Sequence, residues 1–584
     1  MAGYRVVCGV DLGTHGTSLG FVPWIPGKEQ PGRISLFETW PGGRPGIDVK
    51  TPTAVLMNGD HVVAWGFQAL TQAVRSRANR PGSGVRLLHG FKMSLAPKSH
   101  ADTERTSEIG LADNEPRPEK LIEGFLTHVY ATALSELRDR FPGLREDEVR
   151  WCITVPAMWG DREKHLVRQA AHRAGFPRGE NGDQLLLALE PDAVAHNAQV
   201  SGVQYVLDVD GQTRGSLERN SRFMVVDAGG GTIDITCYHT DEHGYLAEVD
   251  RDGIAQSSLY VNRALTDLVL VDRLGGPDEF RRLRKDAPHA LEELLHEWEI
   301  AKRTVTADST DTIWLSLKMS LAKHLTDEVI DRITDSQDGD NENIWISADE
   351  ARSAFDAVIP DILALIDRKL ADMTALADVE EKPVLVLMAG GFAESAYLRH
   401  RVAQHLRGRA VVAVTPQPRV DVVEGAVRFA YNPKVRARRA QYTYGTDTCM
   451  AFEHGVDPID SLYRSPLSGD NCNKRFAVFI NAGDLVPVTH EVRHHYYPTE
   501  PTQDALEFDF YRTKERNPRY VDNEGCEEFS GCKLVVDITE AMHLDIDKRG
   551  VTLYIKFGET ELHVRAVLDF NGKEHPVSLQ FSTR

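Results

Sequence analysis

Two segments of the chain join an aspartate to glycines and a threonine, and this combination suits contact with phosphate. The segments read VCGVDLGTHG at residues 7–16 and VVDAGGGTID at residues 225–234. Glycine has no side chain, so the backbone N–H groups of such a turn can contact a phosphate directly. One copy alone would equally suit an ordinary glycine-rich hairpin. The repeated unit predicts two similar half-domains that face each other across a nucleotide.

A third glycine segment, VLVLMAGG at residues 384–391, precedes a helical pattern that starts near Glu394. Glycines at a strand-to-helix turn allow a flat ligand or a phosphate to approach the N-terminus of the helix. Each of the three motifs is weak alone. Their order and spacing together predict an actin-like nucleotide-binding fold.

These turns must be held by strands, and the residues around them have the composition of buried strands. Short apolar runs rich in β-branched residues flank the glycines. Further strands are predicted at 151–156 and 185–189, and Glu190 follows the second of them. Active-site groups of open α/β sheets lie at such strand ends. Helices are predicted at 121–140, 163–174 and 351–373.

Lys92 and a charged segment near residue 300 are further candidates for the same site. Lys92 lies between Phe91 and Met93, so its stem could pack among apolar groups while its ammonium points into a cleft. A solvated surface lysine is the alternative. The segment at 292–306 predicts a helix with polar side chains on one face, namely Glu299, Lys302, Arg303 and Thr306. Such a stripe is commonly a solvated helix surface.

The length and charge of the chain exclude several classes of protein and of binding partner. The chain has 584 residues, enough for at least two domains. Its formal net charge of −20 argues against nucleic acid and anionic membranes as general partners, because both would repel it. No apolar run reaches the roughly 18 residues of a membrane span, and no signal-peptide pattern opens the chain. The scattered cysteines suit a reducing, cytoplasmic environment.

The sequence changes character near residue 433. A short basic run, KVRARRA, follows, and we predict a linker at 433–440 between two domains. Beyond it, apolar residues alternate with polar ones, as at Leu506, Phe508 and Phe510. This period of two predicts an antiparallel β domain over residues 441–584 with one apolar face on each strand. No helical pattern follows the last strands, so no helical lid is expected.

Six motifs in order resemble the nucleotide-binding domain of the heat shock protein 70 family: VCGVDLGT, ITVPAMW, LEPDAVA, VVDAGGGTID, EWEIAKRTV and LMAGGFAES. FAVFINAGDLVPV, LEFDFYR and GCKLVVDI resemble the β-sandwich that binds substrate in that family. AGGFAES, FKM and RRAQYTYG are similar to its divergent branch, member 12. The resemblance implies an α/β fold: a duplicated, two-lobed actin-like (ribonuclease H-like) ATPase domain over residues 1–432, then an antiparallel β-sandwich without a helical lid.

The resemblance also implies a metal site and catalytic carboxylates. Asp11 and Asp227 would hold Mg²⁺, mainly through water, and Glu190 would stand in the same shell of metal and water. Asp234 would help to position the attacking water. Four carboxylates around a polyphosphate would repel it, so a cation is required, and Mg²⁺ suits oxygen ligands and phosphates. The implied cofactors are therefore ATP or ADP and Mg²⁺, with catalysis by positioning and charge stabilisation.

The remaining implied roles concern the nucleotide itself. Lys92 would contact the transferred phosphate and Thr232 would bind the γ-phosphate. Glu299 and its neighbours would line the adenosine pocket, above the glycines of the third segment. Besides Asp11, the implied nucleotide-binding residues are Gly13, Thr14, His15, Gly229, Gly230, Gly231, Glu299, Lys302, Arg303, Thr306, Gly390, Gly391 and Phe392.

The chain departs from the family pattern at three places. His15 stands where the family usually has a threonine. Glu394 stands where an arginine often stacks on adenine, so Phe392 would stack instead. Phe392→Ala should then weaken adenine-nucleotide binding, and an unchanged affinity would contradict that role. The basic run at 434–440 replaces the family's linker rich in Asp and Leu, so nucleotide control of the β domain is not implied.

We therefore expect a cytoplasmic, ATP-binding protein of the chaperone and stress-response class. It would be a slow Mg-dependent ATPase whose β domain binds polypeptide segments or a specific protein partner, with co-chaperones as further partners. Two alternatives stay open: a nucleotide-regulated scaffold that binds ATP without turnover, and a small-molecule kinase of the same superfold. A sugar kinase would need neither the EWEIAKRTV helix nor the β domain.

Overall fold

The computed structural model describes residues 3–76, 84–95, 116–178, 183–205, 213–215, 217–375, 383–557, 560 and 562–577. These residues form a mixed α/β structure with many strands and helices. The chain divides into two units. The first comprises residues 1–160, 167–244 and 251–434, and the second comprises residues 161–166, 245–250 and 435–584. In the described part of the chain, no helix combines the length and the apolar character that a bilayer span requires.

The elements have the following bounds. The strands are β1 Val6–Leu12, β2 Gly16–Pro23, β3 Ser35–Leu36, β4 Thr51–Pro52, β5 Ala54–Asn58, β6 His61–Trp65, β7 Val85–His89, β8 Val149–Val155, β9 Leu185–Leu189, β10 Val203–Tyr205, β11 Thr213–Gly215, β12 Arg222–Ala228, β13 Ile233–Thr240, β14 Leu246–Ile254, β15 Ile313–Ser316, β16 Asn343–Ile346, β17 Val384–Ala389, β18 Ala410–Val414, β19 Val435–Arg439, β20 Thr443–Ala451, β21 Leu462–Ser465, β22 Gly469–Ile480, β23 Leu485–Pro487, β24 Glu491–Tyr496, β25 Ala505–Thr513, β26 Glu527–Asp537, β27 Val551–Lys556, β28 His563–Leu568 and β29 Glu574–Val577. The α-helices are Gly66–Ser76, Pro118–Arg140, Asp161–Arg173, Glu190–Ser201, Ser258–Leu265, Val271–Arg273, Pro277–Asp286, Pro288–Ala301, Met319–Ala322, Asp327–Ser336, Ala348–Asp356, Ile359–Ala375, Ala396–Leu406 and Asp421–Tyr431.

Two sheets of the first unit share one strand order. In one sheet, β1 pairs antiparallel with β2 and parallel with β8, and β8 pairs parallel with β9. In the other, β12 pairs antiparallel with β13 and parallel with β17, and β17 pairs parallel with β18. Asp11 and Asp227 are each the penultimate residue of the strand at the centre of this pattern. The sequence repeat is therefore matched by a repeat in topology.

Two buried helices of the first unit, Glu190–Ser201 and Asp421–Tyr431, pack closely together. A Cβ added to Gly425 would overlap the backbone carbonyl of Ala193, so the close approach requires glycine at this position. Asn197 Nδ2 donates a hydrogen bond of 2.8 Å to Asp421 Oδ1 across the contact. The first of these helices begins at Glu190, and its packing therefore fixes the position of that carboxylate.

Asp421 makes the stability of this helix pair depend on pH. Burial raises the pKa of Asp421 to about 7, although the hydrogen bond from Asn197 opposes the shift. Because the folded pKa lies above the unfolded value of about 3.9, folding takes up a proton, and this contribution to stability is lost as the pH rises through the folded pKa. Asn at position 421 cannot ionise. The free energy of unfolding of Asp421→Asn should therefore rise by about 2–4 kcal/mol relative to that of the wild type between about pH 4 and about pH 8. Urea unfolding at several pH values measures this difference, and a constant difference would contradict the prediction.

One predicted helix is wrong in its extent. The segment 351–373 forms two helices, Ala348–Asp356 and Ile359–Ala375. Pro360 accounts for the break, because it has no N–H to donate to the carbonyl of Asp356, whereas a proline is tolerated in the first turn of the second helix. Four other predicted elements are confirmed to within a few residues, at Pro118–Arg140, Val149–Val155, Asp161–Arg173 and Leu185–Leu189.

The second unit contains two antiparallel sheets around one apolar core. Strands β21, β22, β20, β25 and β26 form one sheet in that order, and β24, β27, β28 and β29 form the other. Leu506, Phe508 and Phe510 of the first sheet share a cluster of buried residues with Leu553 and Ile555 of the second. The predicted alternation along β25 is confirmed, since the three apolar residues are buried and the polar residues between them are not.

The basic run is built into a sheet. Strand β19, within the predicted linker, pairs antiparallel with β23. It also pairs parallel with residues 246–248 of β14, which belong to the same unit. Arg438 of this strand forms a buried ion pair with Glu248. The sequence pattern did not predict this strand, because a run of arginines is typical of exposed chain.

Candidate functional site

The two aspartate–glycine hairpins of the first unit lie against each other. A Cβ added to Gly230 of the second hairpin would lie 3.4 Å from the Cβ of His15 in the first. A Cβ added to Gly231 would lie 2.9 Å from Thr14 Oγ1 and would overlap the sulfur of Met93. Glycines therefore keep the space between the two turns free of side chains.

Four buried carboxylates act on one another beside these turns, and they are Asp11, Glu190, Asp227 and Asp234. Burial raises the pKa of Glu190 to about 7; Lys92 opposes this shift, and Asp234 and Asp11 add to it. Burial, followed by the charges of Glu190, Asp234 and Asp11, raises the pKa of Asp227 well above its ordinary value. Carboxylates this crowded ionise together only when further positive charge is present.

Lys92 is buried at this cluster, so the alternative of a solvated surface lysine is wrong. Its side chain is 3% exposed, and Nζ lies 2.6 Å from Glu190 Oε1. The ammonium also lies 5.4 Å from the centre of the Trp159 ring, which covers it on one side. One fixed cation thus stands among the carboxylates.

Asp234 has one oxygen bound by the protein and one without a protein partner. The backbone N–H of Met158 donates to Oδ1 at 2.8 Å. Oδ2 is buried and accepts no hydrogen bond. Burial raises the pKa of Asp234, against the hydrogen bond from the backbone N–H of Met158. A buried acceptor in this state suits a bound water.

The carboxylates fit a hydrated cation better than a cation held directly by the protein. Among the described residues, no three His, Cys, Asp or Glu side chains are placed to ligate one metal ion together. Mg²⁺ dehydrates reluctantly and is usually held through one or two carboxylates, waters and phosphates. The unpartnered oxygen of Asp234 and the raised pKa values of Glu190 and Asp227 are consistent with such an ion and its waters.

A second group of predicted residues lies at the end of the helix Pro288–Ala301. Lys302 is 3% exposed and forms an ion pair with Glu299. Its Nζ also donates to the carbonyl of Ser258 at 3.0 Å and to Asn262 Oδ1 at 2.7 Å. Burial lowers the pKa of Lys302 to about 8, although Glu299 opposes the shift. This pair is an internal network and not a solvated stripe.

The predicted common face is wrong for Thr306. The α-helix ends at Ala301, and a 3-10 turn covers Lys302–Thr304. Thr306 lies beyond this turn, and both its N–H and its hydroxyl bond to Ser309 Oγ, at 2.8 and 2.9 Å. Arg303 is exposed to solvent. A turn of 3-10 geometry at the helix end, which the residue spacing does not reveal, separates these side chains.

The second hairpin and the Glu299–Lys302 pair are connected through the helix Ser258–Leu265. The carbonyl of Gly230 accepts hydrogen bonds from Ser257 Oγ at 2.5 Å and from the N–H of Leu259 at 3.0 Å. Asn262 of the same helix donates to Glu299 Oε2 at 2.8 Å. One helix therefore links the glycine turn to the buried ion pair.

His15 interacts with both groups. Solvent reaches its side chain, yet the surrounding protein lowers the pKa of His15 to about 4, with Glu299 opposing the shift and Lys302 adding to it. The imidazole is therefore neutral near pH 7, with one nitrogen that donates and one that accepts. The His15 side chain lies next to Gly230 of the second hairpin.

The third glycine segment reaches the carboxylates at Gly390. This residue has a φ of +83°, and an added Cβ would overlap Asp227 Oδ1 and the carbonyl of Ala228. Both the backbone conformation and the available space therefore require glycine. Gly391 has open space where a side chain would project. The segment then forms a 3-10 turn, and the helix begins at Ala396 rather than near Glu394 as predicted.

Phe392 packs inside the protein. It is 4% exposed, and its ring lies 6.1 Å from the ring of Phe355 at an angle of 25°. Stacking on an adenine base would require this buried ring to become accessible. Phe392→Ala should lower the free energy of unfolding by about 3–5 kcal/mol. Phe355→Ala removes the same contact and is the matched control, so a role in base binding requires Phe392→Ala to weaken adenine-nucleotide binding more than Phe355→Ala does.

Lys50 belongs to the site, and the sequence analysis missed it. Its Nζ lies 2.6 Å from Asp11 Oδ2. The hydroxyls of Ser18 and Thr154 donate to the same carboxylate at 3.3 and 3.4 Å. Lys50 lies in an irregular segment rich in Pro and Gly, far along the chain from Asp11, so no local pattern connects them.

Most of the predicted residues are thus in one region of the first unit. Contacts, hydrogen bonds or charge interactions connect Asp11, Thr14, His15, Lys92, Glu190, Asp227, Gly230, Gly231, Thr232, Asp234, Glu299, Lys302, Arg303 and Gly390. Gly13 and Gly229 belong to the same two turns. Within the described residues, no hydrogen bond, ion pair or ring contact joins Thr306, Gly391 or Phe392 to this set.

Comparison with known proteins identifies relatives over nearly the whole chain. No model of a protein family matches it. It is 27% identical to the human protein "Heat shock 70 kDa protein 12B", over 97% of this chain and 89% of that protein. It is 26% identical to the human "Heat shock 70 kDa protein 12A", over 99% of this chain and 92% of that protein. A "Chaperone protein HscA homolog" of Cupriavidus pinatubonensis is 25% identical over 56% of this chain and 46% of that protein. The chain is therefore homologous to heat shock 70 kDa proteins 12A and 12B over nearly its full length.

Proposed function

We propose that the first unit binds ATP with Mg²⁺ and hydrolyses it slowly, and that the second unit binds polypeptide segments or a specific protein partner. The observation that carries the proposal is the contact between the two aspartate–glycine hairpins beside four buried carboxylates. A metal-bound triphosphate is a ligand that two such turns would hold from opposite sides. Homology to the heat shock protein 70 family supports the nucleotide-binding role.

The proposed architecture is a two-lobed actin-like domain over residues 1–432, a connection at 433–440 and a β-sandwich over residues 441–584. The matching strand orders of the two sheets support the duplicated domain. The apolar core shared by two antiparallel sheets supports the sandwich.

In the proposed mechanism, bound Mg²⁺ supplies positive charge beside the phosphates. Asp11 and Asp227 would hold the ion through its waters, and Glu190 would stand in the same shell. Asp234 would accept a hydrogen bond from the attacking water at its unpartnered Oδ2. Lys92 would leave Glu190 and stabilise the charge that develops on the transferred phosphate.

The remaining predicted residues would hold the rest of the nucleotide. Thr14 and Thr232 would bind phosphate oxygens at the two turns. The Glu299–Lys302 pair and the exposed Arg303 would contact the adenosine. Gly390, which leaves no room for a side chain beside Asp227, would let the nucleotide approach the third segment.

Nucleotide binding and turnover by the full chain test the proposal. A fluorescent ADP analogue should bind in Mg²⁺, and a single turnover of ATP should release phosphate slowly. The polypeptide-binding role is tested by capture of unfolded peptides with ATP or ADP present. A chain that binds no adenine nucleotide would contradict the proposal.

A nucleotide-regulated scaffold is the second candidate. The observation that favours it is the larger His15 side chain, which lies next to Gly230 in the space between the turns. Nucleotide binding without phosphate release would support the scaffold. ATP-dependent phosphorylation of a sugar in a screen would support the small-molecule kinase instead.

A further inference from the structure

Lys50 places a second fixed cation on a carboxylate proposed for the metal. The Lys50–Asp11 ion pair, at 2.6 Å, joins side chains that are 25% and 5% exposed. Lys92 neutralises Glu190 in the same way. In the described part of the chain, no lysine or arginine forms an ion pair with Asp227 or Asp234. Two of the four carboxylates therefore already have an internal counter-ion.

The position of Lys50 is built by the surrounding backbone. A Cβ added to Gly16 would lie 3.4 Å from the Cβ and 3.7 Å from the Cδ of Lys50, so the stem packs over a glycine of the first hairpin. Thr51 and Pro52, which follow, pair with Thr17 and Gly16 in the sheet. These contacts fix the stem of the lysine and direct its ammonium to Asp11.

A further residue ties this segment to the first turn. The hydroxyl of Thr53 donates to the carbonyl of Gly13 at 2.7 Å. The N–H of Thr53 donates to the carbonyl of His15 at 3.1 Å. The chain that carries Lys50 is therefore held against the first hairpin by hydrogen bonds of the backbone and of Thr53.

The charge of Lys50 also reaches the other metal carboxylate. Burial and three neighbouring carboxylates raise the pKa of Asp227, and the charge of Lys50 opposes this rise. A divalent cation held between Asp11 and Asp227 would occupy the region that this ammonium already neutralises. Two cations that need the same carboxylate oxygens bind in competition.

We propose that Lys50 competes with the divalent cation for Asp11, and so sets the metal concentration at which the site fills. This inference rests on the proposed function. In the absence of metal, Lys50 holds Asp11 in position and reduces repulsion among the carboxylates. When the hydrated ion enters, the ammonium leaves Asp11 and becomes available to a phosphate oxygen.

Metal titration of the full chain tests the competition without any measure of turnover. Mn²⁺ is added to nucleotide-free protein, and free Mn²⁺ is read by electron paramagnetic resonance. Lys50→Gln should lower the half-saturating Mn²⁺ concentration by about tenfold, within the usual range for coupling between two ligands. Lys50→Arg retains a competing cation and should stay near the wild type. Lys28→Gln removes an equal charge at an exposed position of the same unit and is the matched control.

The outcomes separate this inference from the proposed function. The competition would be refuted if the half-saturating Mn²⁺ concentration of Lys50→Gln equalled that of Lys28→Gln or exceeded that of the wild type. Acetylation of the wild-type chain, read by mass spectrometry, tests it without a variant: Mg²⁺ should increase modification of Lys50, and no increase refutes the release. A wild-type chain that binds neither Mn²⁺ nor nucleotide would refute the proposed function itself.

Discussion

Gly425→Ala should destabilise the first unit by more than about 3 kcal/mol, and the expected product is an aggregating or unfolded chain. The added Cβ would overlap the backbone carbonyl of Ala193 in the neighbouring helix. Neither backbone can move without disturbing the buried hydrogen bond between Asn197 and Asp421. This expected loss of stability is opposite in sign to the effect of helix propensity, since alanine is favoured over glycine by about 1 kcal/mol in an exposed helix.

Two other glycines provide graded controls for this measurement. Gly124 is also helical, but its added Cβ would meet only side-chain carbons of Val62, at 2.8 and 3.8 Å, and no backbone atom, so Gly124→Ala should cost less. Gly32 has no neighbour within 4 Å, and Gly32→Ala should stay within about 0.5 kcal/mol of the wild type. Urea unfolding followed by circular dichroism ranks the three. Equal stability of Gly425→Ala and Gly32→Ala would mean that the two helices are further apart than described.

Lys92→Ala and Asp227→Ala should each reduce Mg-dependent ATP turnover by at least about 100-fold, the usual cost of losing a charged group that acts on the transition state. Lys92→Ala removes the internal counter-ion of Glu190, which lies 2.6 Å away. The pKa of Glu190, already raised to about 7 chiefly by burial, would rise further, and the carboxyl would be protonated at neutral pH. Asp227→Ala removes a carboxylate proposed to hold the ion through its waters.

Single-turnover phosphate release is the measurement for these two variants, and nucleotide binding is measured in parallel. Lys28→Ala, at an exposed position, is the control for loss of a lysine. Turnover that persists in both Lys92→Ala and Asp227→Ala would show that the catalytic roles are wrongly assigned. If only Asp227→Ala lost nucleotide binding, Asp227 would be needed for binding and not specifically for catalysis.

Local patterns predicted the parts of the fold that local sequence determines. The β-branched runs around the glycines predicted the strands that contain Asp11 and Asp227, because period and turn chemistry are properties of neighbouring residues. The apolar alternation along 506–510 likewise predicted β25. The break at Pro360 was missed although its signal was present, since an amphipathic pattern continues on both sides of the turn.

Candidate site residues were predicted where they belong to a local sequence motif, and were missed where only the tertiary fold brings them to the site. The glycine hairpins and Glu190 stand in recognisable segments. Lys50 does not, since its partner Asp11 is distant in sequence and the intervening chain is irregular. The burial of Lys302 is also a tertiary effect, because Ser258 and Asn262 of another helix surround its ammonium. Spacing on one helix favoured a solvated stripe for the same residue.

The two hydrogen bonds that end on the carbonyl of Gly230 would couple the binding of the two ends of the proposed nucleotide. They fasten the start of the helix Ser258–Leu265 to one turn, and Asn262 of that helix holds Glu299. A ligand that orders the Gly230 turn would therefore also order Glu299, and the reverse. The conformational entropy lost on binding at one of these places would then be smaller once the other is occupied. Adenosine and tripolyphosphate offered as separate molecules would show affinities whose free energies do not sum to that of the intact compound.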